Sequence, residues 1–165
     1  MAESLVQSIV DVCAGNVPQQ LIVFIVSMIP VLELRGSILA AGFLKMEFLP
    51  AYALAVFGNM LPIPFILLFM EKIFAWMKRN RLKNVAVWFE NRAMKRSGQI
   101  KKYGRVGLFL FVAVPLPGTG AWTGSLIAAL LRMRPKDALP WIFLGVLTAG
   151  LAVSLLAFGI IKQVV

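Results

Sequence analysis

The sequence of 165 residues contains no histidine and a single cysteine, Cys13. Without histidine the chain lacks the commonest general base and metal ligand, and one cysteine allows neither an internal disulfide nor a thiolate zinc site. Acidic residues are also scarce, with 7 Asp and Glu against 17 Lys and Arg. We therefore predict no enzymatic activity, no metal site and no cofactor.

What the chain has in abundance is apolar sequence, with 60% hydrophobic residues, more than a soluble core of this size requires. Two stretches, 48–70 and 138–161, lack Asp, Glu, Lys and Arg, and each is long enough to cross a bilayer as a helix. We predict an all-α integral membrane protein, residues 1–165, that forms one membrane domain and begins with an interfacial helix over residues 1–20.

Two further apolar stretches, 21–44 and 106–131, are interrupted near their centres. The interruptions are Pro30 with Glu33-Leu34-Arg35-Gly36, and Pro115-Leu116-Pro117-Gly118-Thr119-Gly120. Such breakers end one helix and start another, which leaves pieces of about ten residues that are too short to cross alone. Either all four stretches span the bilayer, or the two interrupted ones are re-entrant hairpins that enter and leave on the same side.

The distribution of positive charge favours the hairpins. Residues 72–105 contain eleven Lys and Arg against one acid, Glu90, so this segment carries the whole net charge of +10. Nucleic-acid binding is one interpretation, but a basic segment between membrane spans is typical of a cytoplasmic loop. If 106–131 crossed the membrane, Arg132, Arg134 and Lys136 would lie outside, against the positive-inside rule. A hairpin keeps them inside with the connector, residues 71–105.

An internal repeat leads to the same topology. Gly36-Ser37-Ile38-Leu39-Ala40-Ala41 resembles Gly124-Ser125-Leu126-Ile127-Ala128-Ala129. We predict an inverted repeat in which residues 21–70 and 106–161 each supply one re-entrant hairpin and one transmembrane helix, joined by interfacial amphipathic helices. Small residues along the two spans allow close helix packing and are compatible with a homodimer.

The candidate binding site lies at the hairpin tips. We expect the second arm of the first hairpin to begin near Gly36 and that of the second near Ala121. Helix N-termini offer backbone N–H groups, and a guanidinium suits phosphate or carboxylate. The predicted anion-binding residues are Arg35, Gly36, Ser37, Gly118, Thr119 and Gly120. Glu33 has two interpretations, a counter-ion for Arg35 or a proton carrier.

The motifs Glu33-Leu34-Arg35-Gly36-Ser37 and Pro115-Leu116-Pro117-Gly118-Thr119-Gly120-Ala121-Trp122-Thr123-Gly124 resemble those of the small multidrug export protein family, a prokaryotic branch of the DedA/VTT superfamily. The resemblance covers nearly the whole chain and implies opposed re-entrant hairpins and the transport of lipids such as undecaprenyl phosphate. Unlike DedA proteins proper, this chain has no arginine in the second tip.

From the resemblance and the candidate site together we expect a flippase of the inner membrane that moves an anionic lipid phosphate, with Glu33 as the candidate proton carrier. One alternative is a proton-coupled exporter of small amphipathic or cationic drugs, in which Glu33 would bind the cation. An alternative of another class is a membrane scaffold that transports nothing.

Overall fold

The fold is described from a computed structural model that covers residues 4, 6–8, 17–116 and 118–164, with side chains described as far as residue 157. Most of the predicted helix over residues 1–20 and the predicted hairpin break at Pro117 lie outside the described residues. In the described ranges every regular element is a helix, which confirms the all-α prediction. The elements are α1 Gln19–Met28, α2 Glu33–Phe43, α3 Phe48–Met60, α4 Ile63–Arg79, α5 Lys83–Lys95, α6 Gly98–Ala113, α7 Ala121–Leu130 and α8 Pro135–Val164.

Two stretches are long and apolar enough to cross a membrane, Phe48–Arg79 and Pro135–Ala157. They contain most of the two charge-free stretches in the sequence. Nothing in the charge pattern predicts the interruption of the first stretch, where α3 ends at Met60 and α4 begins at Ile63. Pro62 and Pro64 cause it, because a proline has no N–H to donate to the carbonyl four residues earlier.

The chain folds into two compact units, one formed by Met1–Pro62 with Val146–Val165 and the other by Ile63–Gly145. In the first unit α1 and α2 form a helical hairpin, joined by the four residues 29–32. The hydroxyl of Ser37 donates to the carbonyl oxygen of Val23 at 2.6 Å and ties the two helices together. Helix α3 packs against both of them. The ends of α1 and α2 therefore share a loop of only four residues.

In the second unit the chain reverses direction within α6. Gly104 has φ 57° and ψ −124°, a conformation that bends the helix so sharply that Gly107 packs directly on the backbone of Gln99. Residues 105–113 then pair with α7, where Gly124 lies against the Val112 side chain. A side chain at Gly104 would be strained and one at Gly124 would meet α6, so glycine is required at both positions.

Two ion pairs connect the α6–α7 pair to neighbouring helices of the second unit. Arg105 Nη2 lies 3.0 Å from Asp137 Oδ1, at the start of α8, and Arg132 Nε lies 3.0 Å from Glu71 Oε1 in α4. All four side chains are at least partly exposed, so the pairs contribute little stability. Their positions show that the chain between residues 105 and 137 runs outward along α6 and returns along α7.

The sequence repeat corresponds to a repeat of local structure. Helices α2 and α7 each begin three residues before the repeated glycine. Each ends in a Schellman cap, with Lys45 (φ 54°) and Arg132 (φ 55°) in the left-handed conformation. The N–H groups of Met46 and Met133 each donate to a carbonyl five residues earlier at 3.0 Å. The similarity is therefore one of backbone geometry as well as of sequence.

Candidate functional site

Helix α2 begins earlier than the sequence predicts, directly after residues 29–32, which we call the first loop. The N–H of Glu33 donates to the Ile29 carbonyl at 2.8 Å, and that of Gly36 donates to Leu32 at 2.8 Å, so the helical ladder is already established at Glu33. The expectation that the second arm starts near Gly36 is wrong by three residues. As a consequence, Glu33 and Arg35 lie in the first turn of α2 and are not part of a loop that precedes it.

Glu33 combines burial with an unusual backbone conformation. Its φ is 49°, in the left-handed region, and the residue is only 7% exposed. A residue with a Cβ pays about 1–2 kcal/mol for this conformation. The carboxylate interacts electrostatically with Arg35, which is half-buried two residues later. The first turn of α2 therefore holds an acid and a base side by side, in a strained backbone.

Gly36 and Ser37 are engaged in holding the loop together. The Gly36 N–H is bonded within the helix, and a Cβ there would lie 2.7 Å from Leu32 Cβ. The fully buried Ser37 hydroxyl gives its proton to the Val23 carbonyl. Of the three residues predicted to bind an anion here, all in the first turns of α2, Arg35 is the one with a charged side chain.

The second loop, residues 114–120, is ordered by its own hydrogen bonds. The Thr119 hydroxyl lies 2.7 Å from the Val114 carbonyl and 2.8 Å from that of Leu116, and it accepts from the Leu116 N–H at 3.2 Å. Gly118 (φ 79°) and Gly120 (φ 144°) adopt conformations that favour glycine. Helix α7 begins at Ala121, as predicted, and its N-cap, Gly120, supplies no side-chain cap. The loop thus presents the start of α7 without a capping side chain.

A basic residue that the sequence does not associate with this loop lies directly on it. The guanidinium of Arg96, just after α5, donates from Nη1 to the Gly118 carbonyl oxygen. A Cβ on Gly118 would overlap that guanidinium. In the sequence Arg96 is one of eleven cations in the connector, and nothing there distinguishes it from the other ten. The second loop, which has no charge of its own, receives one from the end of α5.

The two units therefore carry a similar electrostatic arrangement. Arg35 lies in the first turn of α2, and Arg96 contacts the chain three residues before α7 begins. The N-terminus of a helix has a positive potential, and a guanidinium beside it adds a full charge. Such a position attracts an anion, and a planar guanidinium suits phosphate oxygens. Among the residues that the structure describes, no group of three or more His, Cys, Asp or Glu could hold a metal ion.

Comparison with known proteins gives one match. Residues 33–152 match the family described as "Putative small multi-drug export protein". Curated proteins and solved structures contain no match. The matched region is 120 of the 165 residues and contains Arg35, Arg96 and the second loop, residues 114–120. Together with the two apolar helices, this match assigns the protein to a membrane. The chain belongs to the small multidrug export protein family.

Proposed function

We propose that this protein is a membrane transporter that moves an anionic lipid phosphate, such as undecaprenyl phosphate, across the inner membrane of a prokaryote. The observation that carries the proposal is the guanidinium beside the start of a short helix in each unit, Arg35 at α2 and Arg96 at α7. Phosphate is the lipid headgroup component that this combination binds best, because its oxygens accept from both N–H groups and guanidinium. No chemical step on the lipid is part of the proposal.

The lengths of the short helices support loops that enter the membrane and return. Helices α1, α2 and α7 contain 10, 11 and 10 residues. At 1.5 Å per residue each is about 15 Å long, half of a hydrocarbon core of about 30 Å. In the second unit the Arg105–Asp137 ion pair joins the point in α6 where the hairpin starts to the beginning of α8, which follows the hairpin. We infer two re-entrant hairpins related by an inverted repeat, with the basic connector 71–105 on the cytoplasmic side.

Glu33 gives this arrangement a means of coupling to protons. When it is ionised, its carboxylate offsets part of the positive charge of Arg35, which weakens the attraction for an anion. Protonation removes that competing charge, so a proton and a phosphate headgroup bind the first loop more strongly together than separately. The headgroup stays at the loop while the hydrocarbon tail remains in lipid. Proton and lipid would then move in the same direction.

The direct test is lipid translocation in liposomes. Purified protein is reconstituted with a fluorescent polyprenyl phosphate, and the fraction that becomes accessible to dithionite is followed with time. We expect Arg35→Gln and Arg96→Gln each to lower the rate at least about tenfold, since each removes a charged contact of the kind that contributes about 1.5–3 kcal/mol. Arg81→Gln, in the same connector, is the matched control and should leave the rate unchanged. Unchanged rates in both test variants at equal reconstitution would contradict the proposal.

Export of cationic amphipathic compounds is the second candidate, and two observations favour it. The family carries an export description, and a buried acid at membrane depth suits a cation. In this case Glu33 binds the cation and releases it on protonation. Glu33→Gln should then abolish ethidium efflux from loaded vesicles. If the unmodified protein translocates the lipid but does not export ethidium, the result favours the lipid carrier.

A further inference from the structure

Helix α5 is attached to the rest of the second unit by one of its faces. Ala86 and Ala93, which are buried, lie seven residues apart and therefore on the same side of the helix. The helix contacts α4 and α7. Between the two alanines, Glu90 Oε2 lies 2.7 Å from Lys78 Nζ at the end of α4. This face holds α5 in place within the second unit.

The neighbouring face of α5 is largely apolar, and it is exposed. Val85, Trp88 and Phe89 are 44%, 55% and 45% exposed, and Arg92 is exposed with them. The last three follow Val85 by three, four and seven residues, a spacing that places all four along one side of the helix. We call these four residues the outer stripe. Exposed apolar side chains grouped in this way mark a contact surface for a membrane or for another molecule.

The side chains of the outer stripe contact one another. The ring centroids of Trp88 and Phe89 lie 4.9 Å apart with an interplanar angle of 87°, which is an edge-to-face pair. The guanidinium carbon Cζ of Arg92 lies 5.4 Å from the centroid of the Trp88 ring. A guanidinium that lies over a ring can still direct its N–H groups, which lie in its own plane, to another acceptor. The stripe thus presents a cation next to two aromatic rings.

The composition of α5 suits the boundary between lipid and water. Six of its 13 residues are polar or charged: Lys83, Asn84, Glu90, Asn91, Arg92 and Lys95. So many polar groups exclude the helix from the hydrocarbon core, whereas its aromatic side chains are stabilised by leaving water. Tryptophan and long cationic side chains are typical of the boundary, where the ring meets the upper acyl chains and the cation reaches the headgroups. Only residues 80–82 separate α5 from Phe48–Arg79, a stretch that is able to cross a membrane.

We propose that the outer stripe binds the headgroups of anionic phospholipids in the surrounding bilayer. Arg92 would donate to the headgroup phosphate, with Trp88 and Phe89 beside the upper part of the acyl chains. Charge selects anionic lipids, because residues 72–105 contain eleven Lys and Arg and their one acid, Glu90, is already in an ion pair. Nucleic acid would also suit the charge, but the assignment of the chain to a membrane brings lipid headgroups close to α5.

Binding at the outer stripe would also act on the second loop, an extension that rests on the proposed function. Arg96 follows Arg92 by four residues, about one helical turn, and its guanidinium contacts the Gly118 carbonyl oxygen. A headgroup held at Arg92 would restrain the end of α5 and so keep Arg96 on the loop. The anionic phospholipid is then a regulator that is not itself transported, and the rate of translocation should rise with its content in the membrane.

The test measures lipid contact by the quenching of Trp88 fluorescence, without transport. Purified protein is reconstituted in phosphatidylcholine vesicles that contain no polyprenyl phosphate and a minor fraction of brominated lipid, either phosphatidylcholine or phosphatidylglycerol. Each measurement is repeated on the same protein with Trp88→Phe, so that the difference isolates Trp88 from the other tryptophans. We expect phosphatidylglycerol to bind beside Trp88 at least about fivefold more strongly, the contribution of one cation at an anionic surface. A higher salt concentration should lower this preference.

Two charge variants make the test specific. Arg92→Gln removes the cation of the outer stripe and should abolish most of the preference for phosphatidylglycerol, while both lipids still quench Trp88 because the aromatic rings remain at the interface. Lys83→Gln is the matched control and should retain the preference. It removes a charge from the same helix but nine residues away, which is about two and a half turns and therefore the opposite side.

The regulatory effect is measured separately, in the translocation assay. The unmodified protein should be faster when phosphatidylglycerol is present, and Arg92→Gln should lose this dependence but keep its rate in phosphatidylcholine alone. Preferential quenching of Trp88 by phosphatidylglycerol in a protein that translocates no lipid would support the binding surface and overturn only the proposed function.

Equal quenching by the two lipids, or a preference that survives Arg92→Gln, would overturn the proposal. So would the absence of quenching by either lipid. In that case the outer stripe contacts a second copy of the chain if Trp88→Phe changes the oligomeric state, or nucleic acid if a labelled oligonucleotide binds the unmodified protein but not Arg92→Gln.

Discussion

The contact between Arg96 and Gly118 can be tested by a double-mutant cycle. Gly118→Ala places a Cβ where the guanidinium lies and so displaces it from the second loop. Arg96→Ala removes the same contact from the other side. Both changes eliminate the same hydrogen bond, so the double variant loses that bond once, and its loss of stability is smaller than the sum for the two single variants.

The magnitudes follow from the local geometry. An alanine at φ 79° costs about 1–2 kcal/mol of strain whether or not Arg96 is present. The hydrogen bond to the Gly118 carbonyl involves a charged donor, but Arg96 is exposed, so we reduce its contribution to about 0.5–1 kcal/mol. Gly118→Ala should therefore cost about 1.5–3 kcal/mol and Arg96→Ala about 0.5–1 kcal/mol. The double variant should be no less stable than Gly118→Ala alone.

Unfolding of the four proteins in mixed micelles, by titration with sodium dodecyl sulfate and tryptophan fluorescence, gives the free energies. A coupling energy of about 0.5–1 kcal/mol is expected. Additive costs would refute the contact: Arg96→Ala would then destabilise the Gly118→Ala protein as much as it destabilises the unmodified one. In the translocation assay both single variants should be slow, since both remove the charge from the loop.

Three stability predictions can be checked by the same unfolding method. Lys45→Gly should stabilise the protein by about 0.5–1 kcal/mol, because glycine adopts φ 54° without strain, whereas Lys45→Ala should not. Ser37→Ala should cost about 1–2 kcal/mol, because it leaves the buried Val23 carbonyl without this donor; no loss would mean that the bond is unimportant. Gly124→Val should cost about 1–3 kcal/mol, because any Cβ there would lie 2.8 Å from a Val112 methyl, and stability equal to that of the unmodified protein would contradict close packing of α6 on α7.

Helix boundaries were predictable where local chemistry alone decides them. Gly118 and Gly120 adopt left-handed angles that end the loop, and α7 begins at Ala121 as the sequence predicts. Glu33 is different, because nothing local favours φ 49° in a residue with a Cβ. A conformation that local preferences disfavour cannot be predicted from the sequence, so the start of α2 at Glu33 could not be inferred from it.

Two features of the site depend on contacts that composition does not reveal. Arg96 looks like any other cation of a basic connector, and its role appears only when the end of α5 is seen against Gly118. Pro62 and Pro64 are visible in the sequence, but a stretch judged by hydropathy and charge still qualifies as a span.

Substituted-cysteine labelling is the most direct test of the proposed arrangement, in which two re-entrant hairpins enter the membrane from opposite sides and each places an arginine beside the start of a helix. In a Cys13→Ser background, single cysteines are placed at Lys45, after α2, and at Arg134, after α7, and intact cells are treated with a maleimide that cannot cross the membrane. We expect the cysteine at position 45 to be labelled from outside and that at position 134 only after the cells are opened. Labelling of both positions from the same side would contradict the inverted arrangement.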